Sequence, residues 1–160
     1  GQPGTQEMVL RILDTAYPNI RKHLSYELKF IESADRIRFG ALDLAFAETS
    51  HSVRNLAVRV SDGKTALAVS GDGAATEASI KLYSESDLLI HESFKATELV
   101  WGHGSAEQIF GFAKKLPRLR RIGLVHLQRD ERRKKRADFL AFEHNPGCEI
   151  SIPEPGEVWE

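Results

Sequence analysis

Four histidines and one aspartate fall at the ends of regular elements, the places where open α/β sheets mount their chemistry. His51 lies between a strand ending near Ala47 and one beginning at Val53. Asp72 sits in Gly71-Asp72-Gly73, closing the run Ala66 to Ser70. His91 follows Leu88-Leu89-Ile90, His126 follows Ile122 to Val125, and His103 occupies a loop just before a helix. Singly, each has an ordinary reading: a turn aspartate, a histidine at the edge of a core, or a loop histidine. Together, imidazoles and a carboxylate without thiolates form a ligand set suited to zinc, manganese or iron. Cys148 is the only cysteine, so an intrachain disulfide and a Cys-rich zinc site are both excluded. The constellation names no reaction by itself.

The elements that must position these residues can be read from periodicity. Met8, Val9, Ile12, Leu13 and Ala16 recur at helical spacing between Thr5 and Tyr17, with Pro18 as the stop. Leu24, Tyr26, Leu28 and Phe30 alternate, as do Leu42, Leu44 and Phe46, and both runs read as strands. Val53 to Val60 and Thr65 to Val69 flank Ser61-Asp62-Gly63-Lys64, a hairpin turn. Beyond Gly73 strands and helices alternate: helix Thr76 to Tyr83, strand Leu88 to Ile90, helix Ser105 to Lys115, strand Ile122 to Val125, helix Asp130 to Phe142, strand Glu149 to Ile152. An antiparallel first half followed by βαβ units gives an α/β (mixed α+β) chain on one mixed sheet. No repeat or linker divides residues 1–160, which read as a single domain.

A chain of 160 residues with 41% hydrophobic content can bury a core. It has neither an apolar run of membrane-spanning length nor the flanks of a signal peptide, and reads as soluble and cytoplasmic. The net charge of −1 argues against wholesale binding to nucleic acid or anionic membrane. Basic residues do crowd Arg129 to Arg136, which reads as a solvated helix face with phosphate or nucleic-acid contact as the rival. His23 and His144 are expected at the surface. Trp101 either lines a pocket or packs its loop on the core, and Cys148 reads as buried and inert.

In order along the chain, several segments resemble the metallo-β-lactamase superfamily, and within it the ribonuclease Z-like branch. His51 to Val60 resembles the family's histidine followed by a strand. Ser70-Gly71-Asp72-Gly73 is similar to its Ser-Gly-Asp-Thr motif, and His91-Glu92-Ser93-Phe94 to its His-Glu-Ala-Thr motif. His103-Gly104-Ser105 resembles its His-Ser-Thr loop, and Leu124-Val125-His126-Leu127 its last metal histidine. The resemblance implies the C-terminal half of an αββα sandwich, with a mixed sheet and helices on one face. It implies two divalent metal ions, zinc first and manganese or iron as alternatives. His51 would bind one ion, His126 the other, and Asp72 would bridge them. His91 and His103 would stabilise an oxyanion or protonate the leaving group, Glu92 would orient an imidazole, and Ser105 at its helix start would hold a phosphate or other anion. Metals in such sites lower the pKa of bound water from 15.7 to about 7.

The family's His-x-His-x-Asp-His motif is absent from these residues, and Gly1 to Thr5 resembles a segment that comes well after it, so the chain is expected to start in mid-fold. Gly73 and Gly104 stand where the motifs have threonine and serine. His51 and Asp72 lie too close in sequence to enclose the long arm with which bacterial ribonuclease Z grips transfer RNA, which disfavours that role. Three ligands shared by two ions leave each with fewer than the three protein ligands a catalytic zinc keeps, so the isolated chain is expected to bind metal weakly or not at all and to be inactive alone. An uncovered inner sheet face calls for a homodimer or an associated N-terminal segment. The expected function is hydrolysis of a phosphodiester, ester or lactone, the substrate being a small molecule or a phosphodiester. The alternative is a non-catalytic remnant serving as an oligomeric or interaction module.

Overall fold

The computed structural model describes residues 1–33, 36–141 and 148–159. The expectations for Phe142 and His144 lie outside these. The chain forms two compact units, Gly1–Asp35 and Arg36–Glu160.

In the first unit, α1 (Thr5–Ala16) ends before Pro18 as its periodicity requires, and a 3₁₀ turn, Ile20–Lys22, follows it. Val9, Leu10 and Leu13 are half-buried while Met8 and Ile12 are more than half exposed. The strand expected over Leu24 to Phe30 does not form. Alternation makes a strand only when a neighbouring backbone completes its hydrogen bonds, and among the described residues none pairs with this segment.

The second unit is built on one seven-stranded sheet in sequential order. Its strands are β1 (Arg36–Phe39), β2 (Leu42–Thr49), β3 (Asn55–Ser61), β4 (Ala66–Val69), β5 (Leu88–Glu92), β6 (Arg121–Val125) and β7 (Glu149–Ser151). The first four pair antiparallel and the last four parallel. Helices α2 (Glu77–Tyr83) and α3 (Ala106–Ala113) make the crossovers between parallel strands. The expected helix over Asp130 to Phe142 is broken at Lys135 into α4 (Arg129–Lys134) and α5 (Arg136–Leu140). Arg129/Arg133 and Arg132/Arg136 are like-charge i,i+4 pairs, which oppose a continuous helix. Arg132 and Arg136 both reach Glu154 instead.

The register separates the two faces of the sheet. Ala57 in β3 shares one face with the paired row Ala68, Leu89, Ile122 and Ile150; these join Tyr83 of α2, Ile109, Phe110 and Phe112 of α3 and Phe139 of α5 in the buried core. On the opposite face Phe46, Val58, Val60, Leu67, Val69 and Ile90 pair across β2 to β5 and are only half-buried. A strand apolar on both sides is built to be covered on both sides. Helices α2, α3 and α5 therefore pack on one face of this sheet, and the other face is apolar and half-covered. No helix among the described residues is long and apolar enough to cross a membrane.

Candidate metal centre

Strand direction explains why distant residues meet. Strands β4, β5 and β6 run parallel, and β2, two antiparallel steps from β4, points the same way. The C-terminal ends of all four therefore lie at one edge of the sheet, and the segments leaving them carry His51, Asp72, Glu92 with His103, and His126.

Asp72 is the hub. Its Oδ2 lies 3.7 Å from His51 Nε2, and its Oδ1 lies 3.3 Å from both His103 Nδ1 and His126 Nε2. One ligand atom from each of His51, Asp72 and His103 falls within 4.8 Å of the other two, as ligands of a single ion must. Asp72 Oδ1 and His103 Nδ1 are buried yet make no hydrogen bond with a described residue, and Glu92 Oε2 is in the same condition. Buried polar atoms left without partners are costly, and a cation among them would satisfy the oxygen and the ring nitrogens at once. The residues present thus fit one divalent ion on their own donor chemistry.

Local structure holds this arrangement. Asn55, at the start of β3, bridges the ends of β2 and β4, donating to Thr49 Oγ1 at 2.5 Å and to the Ser70 carbonyl at 3.1 Å. Gly71 has φ +68°, and a Cβ there would strike the Asn55 carboxamide at 2.7 Å, so glycine is required before Asp72. A Cβ on Gly73 would meet Thr49 Oγ1 at 2.5 Å. The threonine the motif has at that position is excluded by Thr49, which fills the space. Ser70 Oγ receives the Glu92 N–H at 2.9 Å, tying the β4 turn to β5.

His103 is carried on a loop that doubles back so that the Gly104 N–H donates to Glu92 Oε1 at 2.5 Å. Its ring stacks on Phe94 with centroids 4.7 Å apart, and it stacks on His126 at 5.7 Å. Glu92 is fully buried, 3.6 Å from His103 Nδ1. Burial pushes its carboxyl up to about 7, against the lowering effect of the Gly104 N–H and with a further rise from the neighbouring Asp72. His126 adopts φ +55°, a left-handed conformation that costs a non-glycine residue roughly 1 kcal/mol. Strain of this kind concentrates at functional sites.

Two expected site residues lie elsewhere in their contacts. Side chains alternate across a strand, so His91 points to the face opposite Glu92, fully buried with its ring against Tyr83 and Phe112. Ser105 caps α3: its Oγ accepts from the Gln108 N–H while its own N–H donates to Gln108 Oε1. That capping box occupies the groups an anion would use. Asn55 and Phe94 carry no signal that isolates them in sequence; only their strand-end positions beside ligands mark them.

Outside the cluster, Trp101 is 79% exposed and packs on no core, and Cys148 is buried with its thiol pushed up to about 11 by burial. His23 is exposed. In the basic stretch Arg132 and Arg136 pair with Glu154, and Lys135 with Glu131.

No protein-family model matches the chain, and no curated protein matches it in sequence. Solved structures do. The metallo-β-lactamase fold protein YhfI from Bacillus subtilis superposes with a TM-score of 0.72 at 24% identity, over 92% of this chain and 62% of that one. Human tRNase Z, short form, gives 0.65 at 18% identity, over 96% and 62%. An isothiocyanate hydrolase from Delia radicum gut bacteria gives 0.63 at 16% identity, over 86% and 60%. The chain thus spans about three-fifths of the length of each. With its mixed seven-stranded sheet, one-sided helices and strand-end cluster around Asp72, the chain has the metallo-β-lactamase fold.

Proposed function

We propose that the chain is the C-terminal portion of a metal-dependent hydrolase acting on a phosphodiester, ester or lactone, with Asp72 at the centre of its metal site. The observation that supports this is the convergence of three imidazoles on one carboxylate whose inner oxygen has no hydrogen-bond donor among the described residues. His51, Asp72 and His126 would hold the metal in the completed protein, with the rest of the ligands supplied by a segment outside these 160 residues. Within these residues alone the set suits one ion, with His103 as the third ligand. Zinc fits a nitrogen-and-carboxylate set, as do manganese and iron.

A bound divalent ion supplies a water acidic enough to ionise near neutral pH. The chain's own residues do the rest. In the completed site, where the added ligands take its place on the metal, His103, backed by Phe94, faces the cluster and exchanges a proton with the leaving group. Glu92, fixed by the Gly104 N–H, orients that imidazole from 3.6 Å. The half-covered apolar face of β2 to β5 is covered by the segment that supplies the other ligands or by a second copy of the chain.

Metal-dependent turnover of a generic phosphodiester or lactone, lost in Asp72→Ala, is the expected result for the chain completed by a segment bearing His-x-His-x-Asp-His. Turnover that survives Asp72→Ala contradicts the proposal. The half-covered apolar face also favours a second reading, a non-catalytic association module. On that reading neither metal nor turnover is found, and folding is indifferent to loss of His51 and His126.

A further inference from the structure

On the helix-bearing side of the sheet lies a cavity of about 210 Å³ with apolar walls from Ala75, Ile80, Ile109 and Phe112, and Gly104 at its rim. His91 also lines it. The imidazole is fully buried, and its Nδ1 lies 2.7 Å from the backbone carbonyl of Glu92. A carbonyl can only accept, so Nδ1 carries the hydrogen and Nε2 is left as a lone-pair acceptor. No described residue donates to that nitrogen. Burial keeps the ring neutral, with its pKa pushed down to about 4. Gln108 also reaches the cavity, but its Oε1 is already committed to the Ser105 N–H. The space far exceeds one water, and an apolar cavity of about 150 Å³ takes benzene.

We propose that this cavity binds a small, mainly apolar molecule carrying a single O–H or N–H donor, a phenol in chemical class, with the donor on His91 Nε2 and the ring against Phe112. A hydrocarbon fills the same walls but leaves the nitrogen bare. A polyol or an anion leaves its own polar groups unmatched. None of the cluster's ligands lines the cavity, so binding there calls for no metal.

The test is calorimetric titration of the metal-free protein with phenol and with toluene, followed by NMR of ¹⁵N-labelled histidine. Phenol binds saturably and at least ~10-fold more tightly than toluene, the factor expected for one net hydrogen bond. Binding shifts the His91 Nε2 resonance, which before addition shows an unprotonated nitrogen. Ala75→Leu fills the cavity and abolishes binding; His91→Phe erases the preference for phenol. Absence of saturable phenol binding up to about 10 mM, equal affinity for toluene, a protonated Nε2 in the free protein, or undiminished binding in folded Ala75→Leu overturns the proposal.

Discussion

Asp72 Oδ1 lies 3.3 Å from both His103 Nδ1 and His126 Nε2, so a single carboxylate oxygen joins the loops leaving two neighbouring parallel strands. The join depends on a strained residue. His126 reaches Asp72 from φ +55°. Glycine tolerates that conformation without the Cβ clash. His126→Gly is therefore expected to stabilise the metal-free protein by about 0.5–1 kcal/mol in urea unfolding. Destabilisation of more than about 1 kcal/mol would mean that the imidazole's contacts outweigh the strain.

Glu92 gives the stability a pH dependence of definite sign. Its carboxyl is raised from 4.5 to about 7 in the folded chain, chiefly by burial. The folded state therefore holds the proton more tightly than the unfolded one. The resulting stabilisation is complete below about pH 4.5 and is lost as pH rises through 7, amounting to something on the order of 3 kcal/mol. Glu92→Gln mimics the protonated form and flattens this dependence. Equal slopes of unfolding free energy between pH 5 and 8 for both proteins, measured with chelator present, would falsify the assignment.

Asp87 behaves in the opposite sense. It accepts from Arg118 and Arg120 and from the Ala66 N–H, which holds it down to about 2, with the Arg118 hydrogen bond as the largest cause. Its stabilisation is present above about pH 4 and disappears as pH falls through 2. Because the two guanidinium groups are 46% and 75% exposed, the contribution is discounted to about 1–2 kcal/mol. Asp87→Asn should cost that much at pH 7 and little at pH 2. A constant cost across this range contradicts the pairing.

The half-covered face of β2 to β5 should drive association. Sedimentation of the chain is expected to show a concentration-dependent dimer, and Val58→Lys, at the middle of that face, should shift it to monomer with the fold intact. A wild-type chain that stays monomeric to about 100 μM, a concentration that populates even modest dimers, counts against it.

Most of the second unit was legible because its signals are local and redundant. The Ser61 to Lys64 turn, the capping residues Thr76 and Ser105, and the short apolar runs of β5 and β6 each specify one element, and the elements agree with one another. Leu24 to Phe30 misled because alternation carries no information about a pairing partner, and the break at Lys135 comes from charges three and four residues apart that a hydrophobic pattern ignores. At the site, the residue types at strand ends announced Asp72 and its histidines. The opposite facing of His91 and Glu92 follows from strand alternation once β5 extends to Glu92, two residues beyond the apolar run. The motif resemblance groups the two residues by sequence adjacency, which a strand separates in space.

Zinc titration of the monomeric chain, beside Asp72→Ala, tests the account most directly. The account predicts at most one ion per chain, bound with a Kd of about 1 μM or weaker because, among the described residues, the atoms within 4.8 Å of one another come from His51, Asp72 and His103 alone, and binding lost in Asp72→Ala. Two tightly held zinc ions per monomer, or binding undiminished without Asp72, would contradict it.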